Sequence, residues 1–156
     1  MQLNRLILST ILLIAATVSC KPLHAQQKGP VLNHIAQYVT DLEVSTRFYR
    51  DLIGLDTIPE PFHDGRHTWF SLGSSGHLHI ISGAKSRSSH DKNAHLCFSV
   101  PSVPDFIKRL DQASIPYESW VGDKQQITLR VDGIRQIYFQ DPDGYWIEIN
   151  DDYPGQ

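Results

Sequence analysis

The sequence has few cysteines, no long apolar span and no strong excess of charge of either sign. Only 2 of its 156 residues are cysteine, which excludes a small scaffold held together by several disulfides. The formal net charge of -3 predicts no broad basic surface, so we expect no nucleic-acid partner. With 40% hydrophobic and 20% charged residues, the composition is typical of a single globular domain.

The longest apolar run lies near the N-terminus, over residues 6–18. It is shorter than the roughly 20 residues that span a bilayer, but it fits the apolar part of a signal peptide. We therefore predict residues 1–25 to be a cleaved signal peptide, leaving a mature chain without a transmembrane span. A second interpretation uses the segment Thr17-Val18-Ser19-Cys20, which resembles a bacterial lipobox and would place a lipid anchor at Cys20. Both interpretations predict an exported protein that is periplasmic, secreted or lipid-anchored.

The rest of the chain, residues 31–151, is predicted to contain two copies of one module, over residues 31–82 and 93–151, joined by a polar, Ser-rich linker. Each copy opens with an alternating strand and a capping-box pair that marks the start of a helix. The capping pairs are Thr40 with Glu43 and Ser102 with Asp105. Each copy then closes with a hairpin, after a less distinct strand at 55–58 or 127–130. The predicted order is βαβββ, twice, in an α+β fold.

Side-chain alternation places polar residues on one face of the second closing hairpin. Its turn, Asp141-Pro142-Asp143-Gly144, suggests a bulge, and we interpret the two aspartates as turn residues. That bulge places Tyr138 opposite Glu148, with Gln136 on the same face. Tyr138, Gln136, Cys97 and Trp146 are predicted to line a cavity and contact the substrate.

Aligning the two modules groups four residues that can bind a metal. His34 corresponds to His95, and His79 corresponds to Glu148. Three imidazoles and one carboxylate suit a divalent Zn, Ni, Mn, Co or Fe ion and disfavour calcium. A six-coordinate ion would keep two positions for a substrate with neighbouring oxygens. His77 lies one alternation from His79 on the same face, so it is the alternative ligand.

The same segments resemble a known family. Residues 34–41 and 48–55 resemble the opening of vicinal oxygen chelate proteins, and residues 141–148 resemble their closing motif. This superfamily includes glyoxalase I, fosfomycin-resistance proteins and extradiol dioxygenases. The resemblance implies paired βαβββ modules in a curved, partly open mixed sheet, one divalent metal ion, a small-molecule substrate and usually a homodimer.

By position, four residues match the metal positions of that family: His34, His79, His95 and Glu148. Glyoxalase I enzymes generally have a carboxylate where His79 stands, so Glu148 is the only obvious carboxylate that could accept a substrate proton. The site could be closed within one chain or shared across a dimer, since both arrangements bring the same residues together.

The resemblance implies a metal-dependent lyase or isomerase of glyoxalase I type, similar to lactoylglutathione lyase. It would chelate neighbouring substrate oxygens and stabilise an enediolate or oxyanion, with Glu148 as ligand and catalytic base. One alternative is an Fe(II) ring-cleaving dioxygenase that uses His34, His95 and Glu148. The others are thiol transfer to an epoxide antibiotic and a non-enzymatic binding module similar to bleomycin-resistance proteins.

Overall fold

The computed structural model of the chain describes residues 29–154. The predicted signal peptide and the possible anchor at Cys20 lie outside this part of the chain. Within residues 29–154, no helix has the length and apolar character that crossing a membrane requires.

The first module forms a four-stranded mixed sheet. Its elements are β1 (His34–Val39), α1 (Leu42–Arg47), a π-helical turn (Phe48–Ile53), β2 (Thr57–Ile58), β3 (His67–Ser71) and β4 (His77–Ser82). The strand order is β1-β4-β3-β2, with β1 parallel to β4 and the other pairs antiparallel. The opening strand therefore lies at the edge of the sheet, beside the strand that closes the module.

The second module repeats this topology. Its elements are β5 (His95–Ser99), α2 (Val103–Gln112), β6 (Thr128–Leu129), β7 (Arg135–Gln140) and β8 (Trp146–Asn150), and the sheet order is β5-β8-β7-β6. The predicted α+β fold with two βαβββ modules is confirmed, and the two mixed sheets are not closed into a barrel.

Strand register is the same in both modules. The third residue of each opening strand pairs with the third residue of its closing strand, which joins Ala36 to His79 and Cys97 to Glu148. His79 and Glu148 therefore occupy equivalent places in the two sheets. In the second sheet Tyr138 lies opposite Glu148, as the bulged turn predicts.

Only one of the two predicted helix caps is correct. Ser102 caps α2 by accepting a hydrogen bond from the Asp105 amide at 3.2 Å. The prediction for Thr40 is wrong, because Asp41 caps α1 and accepts from the Val44 amide at 3.0 Å. Thr40 instead donates its backbone amide and its hydroxyl to Asp143 of the second module.

The two less distinct strands are shorter than predicted, because turns use the residues at their ends. In the first, the Leu55 amide donates to the Tyr49 carbonyl at 3.0 Å and so still belongs to the end of the helical turn. In the second, the Arg130 amide donates to the Ile134 carbonyl at 2.8 Å within a turn.

The closing turn of the second module binds the first helix. Asp141 accepts a hydrogen bond from the Tyr49 hydroxyl at 2.8 Å, and Asp143 accepts from the Thr40 amide at 2.7 Å and from the Ser45 hydroxyl at 2.8 Å. Both aspartates are 2% exposed, so their interpretation as turn residues is incomplete. Phe48 packs nearby against Phe139, with ring centroids 6.2 Å apart, and the two modules share one apolar core.

Candidate metal site

His95 and Glu148 face each other across the parallel pair β5 and β8. His95 Nε2 lies 3.2 Å from Glu148 Oε2. The other ring nitrogen, Nδ1, lies 2.7 Å from the carbonyl oxygen of Lys92. A carbonyl only accepts, so Nδ1 carries a proton and the ring presents Nε2 to the carboxylate. This tautomer is the one in which Nε2 can bind a metal.

Glu148 is held as an anion by its neighbours. The Tyr138 hydroxyl donates to Oε2 at 2.6 Å, and Asn150 Nδ2 and Cys97 Sγ donate to Oε1 at 2.9 and 3.3 Å. Burial raises the pKa of Glu148, but these hydrogen bonds and the neighbouring His95 outweigh it and lower the pKa overall. Both oxygens of the carboxylate therefore have donors and a fixed orientation.

Two of the predicted substrate contacts belong to this hydrogen-bond network. Tyr138 is 2% exposed, and its hydroxyl donates to Glu148 while accepting from Gln136 Nε2 at 2.7 Å. Burial and the hydrogen bond to Glu148 raise the pKa of Tyr138, so its proton stays on the hydroxyl. Tyr138 therefore contacts the carboxylate directly, and Gln136 is linked to it through the Tyr138 hydroxyl.

Of the other two predicted substrate contacts, Cys97 lies beside the carboxylate and Trp146 has different partners. Cys97 lines a cavity of about 560 Å³ together with Ile35 of the first module. Burial and the adjacent Glu148 charge raise the pKa of the Cys97 thiol to about 12. Trp146 donates its indole N–H to the His90 carbonyl at 3.0 Å, and the Lys92 ammonium lies 4.9 Å from its ring centroid.

In the first module, His34 and His79 stack against each other. Their ring centroids are 4.2 Å apart and their planes differ by 9°. Trp69 stacks on the other face of the His79 ring. Their ring centroids are 3.9 Å apart and their planes differ by 2°. His34 Nδ1 lies 2.8 Å from Asn33 Oδ1, which leaves Nε2 available. His77, the alternative ligand, pairs in register with His34, and its ring centroid is 6.0 Å from that of His79.

His79 has an environment unlike that of the other two candidate histidines. It is 7% exposed, and its Nε2 is buried without a hydrogen-bond partner. Burial and the neighbouring imidazoles lower the pKa of His79, so the ring is neutral at physiological pH.

The four predicted ligands are therefore found as two pairs, one in each module. Within residues 29–154, no group of three or more His, Cys, Asp or Glu side chains is arranged to hold a metal ion. The donors of the second pair fit a divalent ion, because His95 Nε2 and Glu148 Oε2 converge while His95 Nδ1 and Glu148 Oε1 are already hydrogen-bonded. In the first pair, His34 is exposed, whereas His79 Nε2 is buried without a hydrogen-bond partner.

Three residues that contact these pairs are absent from the candidates predicted from the sequence. Lys92 was assigned to the linker, yet its carbonyl orients His95, while its ammonium pairs with Glu118 and donates to the Ser119 carbonyl at 3.2 Å. Asn150 lies on the Glu148 face by strand alternation, so that pattern was the available signal. Trp69 could have been placed beside His79 only with the β3–β4 register known.

Comparison with known proteins gives the family. A profile of the Glyoxalase/Bleomycin resistance protein/Dioxygenase superfamily matches residues 31–149. Lactoylglutathione lyase of Pseudomonas putida is 25% identical in an alignment 152 residues long, and the match covers 76% of this chain and 83% of that protein. Metallothiol transferase FosB of Staphylococcus epidermidis is 27% identical over 132 residues, covering 76% and 80%.

A solved structure has the same architecture. Oxidase ChaP-H1 superposes with a TM-score of 0.65 at 25% identity, over 82% of this chain and 100% of that one. The repeated topology, the equivalent strand registers and the match over residues 31–149 agree with one another. The chain therefore belongs to the Glyoxalase/Bleomycin resistance protein/Dioxygenase superfamily, whose vicinal oxygen chelate fold its sequence motifs predict.

Proposed function

We propose that this protein is a metal-dependent enzyme of glyoxalase I type, acting on a small molecule with two neighbouring oxygen atoms. The observation that carries the proposal is the arrangement of His95 and Glu148, 3.2 Å apart, with the imidazole oriented by the Lys92 carbonyl. A proton-bearing Nδ1 and an ionised carboxylate leave a place between Nε2 and Oε2 that a cation would stabilise. The similarity to a lactoylglutathione lyase supports the same class.

In this proposal His34, His95 and Glu148 hold one divalent ion, with His79 as the fourth candidate. When bound, the ion supplies Lewis-acid stabilisation of negative charge on the substrate oxygens. Tyr138 and Asn150 keep Glu148 ionised and oriented by donating to its two oxygens at 2.6 and 2.9 Å. These contacts make Glu148 a better fixed anionic ligand than a proton acceptor.

A second candidate is a dioxygenase with two histidines and one carboxylate as iron ligands. The buried, stacked position of His79 favours it, because that chemistry needs only His34, His95 and Glu148. The similarity to a protein named an oxidase is consistent with this candidate.

The ligand set is proposed to be completed by a second copy of the chain. Because no three candidate ligands gather within the described residues of one chain, the His34 pair of one copy would meet the His95 and Glu148 pair of the other. Such an arrangement requires a symmetric dimer with two equivalent sites.

Metal analysis tests the proposed class. Protein purified without added metal should contain about one divalent ion per chain. Zn, Ni or Mn supports the glyoxalase-type reaction, and iron with substrate-dependent oxygen uptake supports the dioxygenase. Protein that contains no metal and still binds small molecules tightly would exclude both. Glu148→Gln should abolish turnover in either case, and unchanged turnover would remove Glu148 from the site.

Mixing two inactive variants tests whether the site is shared. His34→Ala and Glu148→Gln each destroy both sites of a homodimer, but a mixed dimer regains one intact site when each site takes residues from both copies. After subunit exchange, about a quarter of the wild-type sites should return. Two preparations of the same variant, mixed identically, are the control. No recovery in the mixed sample would mean that each site is closed within one chain.

Export is also proposed, on the basis of residues 1–25. Mass spectrometry of the protein recovered after expression in a bacterium tests it. Loss of the leader with a free N-terminus indicates plain cleavage, and a lipid-modified Cys20 that disappears in Cys20→Ala indicates an anchor. An intact leader on cytoplasmic protein would contradict both.

A further inference from the structure

Three rings form a continuous parallel stack in the first module. Trp69 lies 3.9 Å from His79 by ring centroid, and His79 lies 4.2 Å from His34. The interplanar angles are 2° and 9°. His79 is thus enclosed between an indole and an imidazole. Its inner position contrasts with that of His34, which is exposed at the start of an edge strand.

This geometry conflicts with both histidines binding one ion. An imidazole binds a metal through a nitrogen lone pair that lies in the ring plane, at a nitrogen–metal distance of about 2.1 Å. An ion in the plane of His34 therefore lies outside the nearly parallel plane of His79. His34 and His95 each have Nδ1 hydrogen-bonded to an oxygen, so Nε2 of each is the nitrogen left for an ion.

We propose that His79 is a positioning residue, which holds the His34 ring by stacking and is not itself a metal ligand. The inference rests on the proposed metal-dependent function. Trp69 packs on the face of His79 that is turned away from His34. The hydrogen bond from His34 Nδ1 to Asn33 Oδ1 fixes rotation within the plane of the His34 ring. Together these contacts point His34 Nε2 in one direction, so less rotamer freedom is lost when an ion binds.

Two substitutions at residue 79 separate stacking from ligation. His79→Phe keeps a flat ring but has no donor atom, and His79→Gln keeps a donor atom but has no ring. The probe is Co²⁺, titrated into metal-free protein and followed by its visible absorption, which reports the number and type of ligands. If His79 acts by stacking, His79→Phe should bind Co²⁺ within about threefold of the wild type and with unchanged band positions. His79→Gln should bind about 10–100-fold more weakly.

The opposite pattern would overturn the inference. Shifted bands and a large loss of affinity in His79→Phe, with affinity retained in His79→Gln, would identify His79 as a ligand. His34→Phe provides the reference spectrum for a lost ligand. His63→Asn controls for binding by surface imidazoles, because His63 is an exposed loop residue with a φ of 50° that asparagine tolerates.

A variant of Trp69 tests the same stack if His79→Phe does not fold. Trp69→Ala removes the ring that stacks on His79 and leaves every imidazole nitrogen in place, and it should weaken Co²⁺ binding about tenfold with unchanged bands. Unchanged affinity in Trp69→Ala would count against the stacking role. Wild-type protein that binds no Co²⁺ would refute the proposed function together with this inference, whereas loss confined to the His79→Phe variant would refute the inference alone.

Discussion

Asp143, in the closing turn of the second module, accepts a hydrogen bond from the backbone amide of Thr40 in the first module at 2.7 Å. The Thr40 hydroxyl donates to the same oxygen at 2.8 Å, and the Ser45 hydroxyl donates to the other at 2.8 Å. One carboxylate therefore fixes the start of α1 from a distance of about a hundred residues along the chain. The two modules are joined by charge-assisted hydrogen bonds as well as by their apolar core.

Asp143→Ala should lower the free energy of unfolding by about 2–4 kcal/mol, because it leaves the buried Ser45 hydroxyl and the Thr40 donors without their acceptor. Urea denaturation followed by circular dichroism measures the change. Asp111→Ala, at an exposed carboxylate on α2, should change stability by less than about 0.5 kcal/mol. Equal midpoints for the two variants would show that the bonds to Asp143 contribute little.

Tyr49→Phe should destabilise the protein more at pH 7 than at an acidic pH near the ordinary pKa of an aspartate side chain. Burial raises the pKa of Asp141, and the hydrogen bond from Tyr49 opposes that rise. Since the folded pKa lies above the unfolded value, stability falls as the pH rises through this interval, and removing the hydroxyl widens the interval.

We expect Tyr49→Phe to cost about 1–2 kcal/mol at pH 7 and clearly less near pH 3.5, measured by urea denaturation at both values. Tyr117→Phe is the matched control, because its hydroxyl bonds to a backbone carbonyl and should give the same small cost at both pH values. An identical penalty for Tyr49→Phe at the two pH values would disprove the link to Asp141.

Gly76→Ala should be more destabilising than Gly122→Ala, although both glycines have positive φ angles, of 111° and 95°. An added Cβ at Gly76 would lie 2.5 Å from the carbonyl oxygen of Asn33, whereas nothing lies within 4 Å of one at Gly122. Gly76 also has a ψ of -148°, in a region that only glycine readily adopts.

Thermal and urea unfolding should show a loss of about 1 kcal/mol for Gly122→Ala and at least about 1 kcal/mol more for Gly76→Ala. If the two variants were equally stable, the chain before β1 would have to move freely away from the turn that precedes β4.

Cys97 should react slowly with disulfide reagents in the folded protein. With a thiol pKa of about 12, its thiolate fraction at pH 8 is about 10³-fold lower than that of an ordinary cysteine. The measurement uses the Cys20→Ser variant, in which Cys97 is the only thiol, and compares the native chain with the same chain in urea.

Adding Glu148→Gln should speed the reaction of native Cys97 about tenfold, because it removes a negative charge that raises the thiol pKa. An equally fast reaction in native and unfolded protein would show that burial and the Glu148 charge do not protect the thiol.

Strand alternation and turn chemistry were enough to predict the second closing hairpin. A bulge after Asp141 sets the register, and a period of two then decides which side chains share a face with Glu148. The prediction of Tyr138 opposite Glu148 followed directly, and the register confirms it. The same reasoning applied to the first module makes His79 the counterpart of Glu148.

Ring orientation and contacts between modules could not be predicted in this way. The stacking of His79 between Trp69 and His34 depends on how side chains pack once three strands are aligned, which a single-strand pattern does not contain. Likewise, nothing in the sequence around Asp143 indicates that its carboxylate accepts hydrogen bonds from Thr40. The turn motif explains the shape of the segment, and only the assembled fold reveals its second role.

The edge positions of β1 and β5 determine the order in which the molecule can be assembled during synthesis. Among residues 29–154, each of these strands pairs only with the strand that ends its own module, β4 or β8. The adjacent hairpins β3–β4 and β7–β8 are local and close quickly, but the parallel pairs must wait for a whole module to leave the ribosome. His34 can therefore contact His79 as soon as the first module is synthesised. His95 can contact Glu148 only after β8, the last strand, has been synthesised.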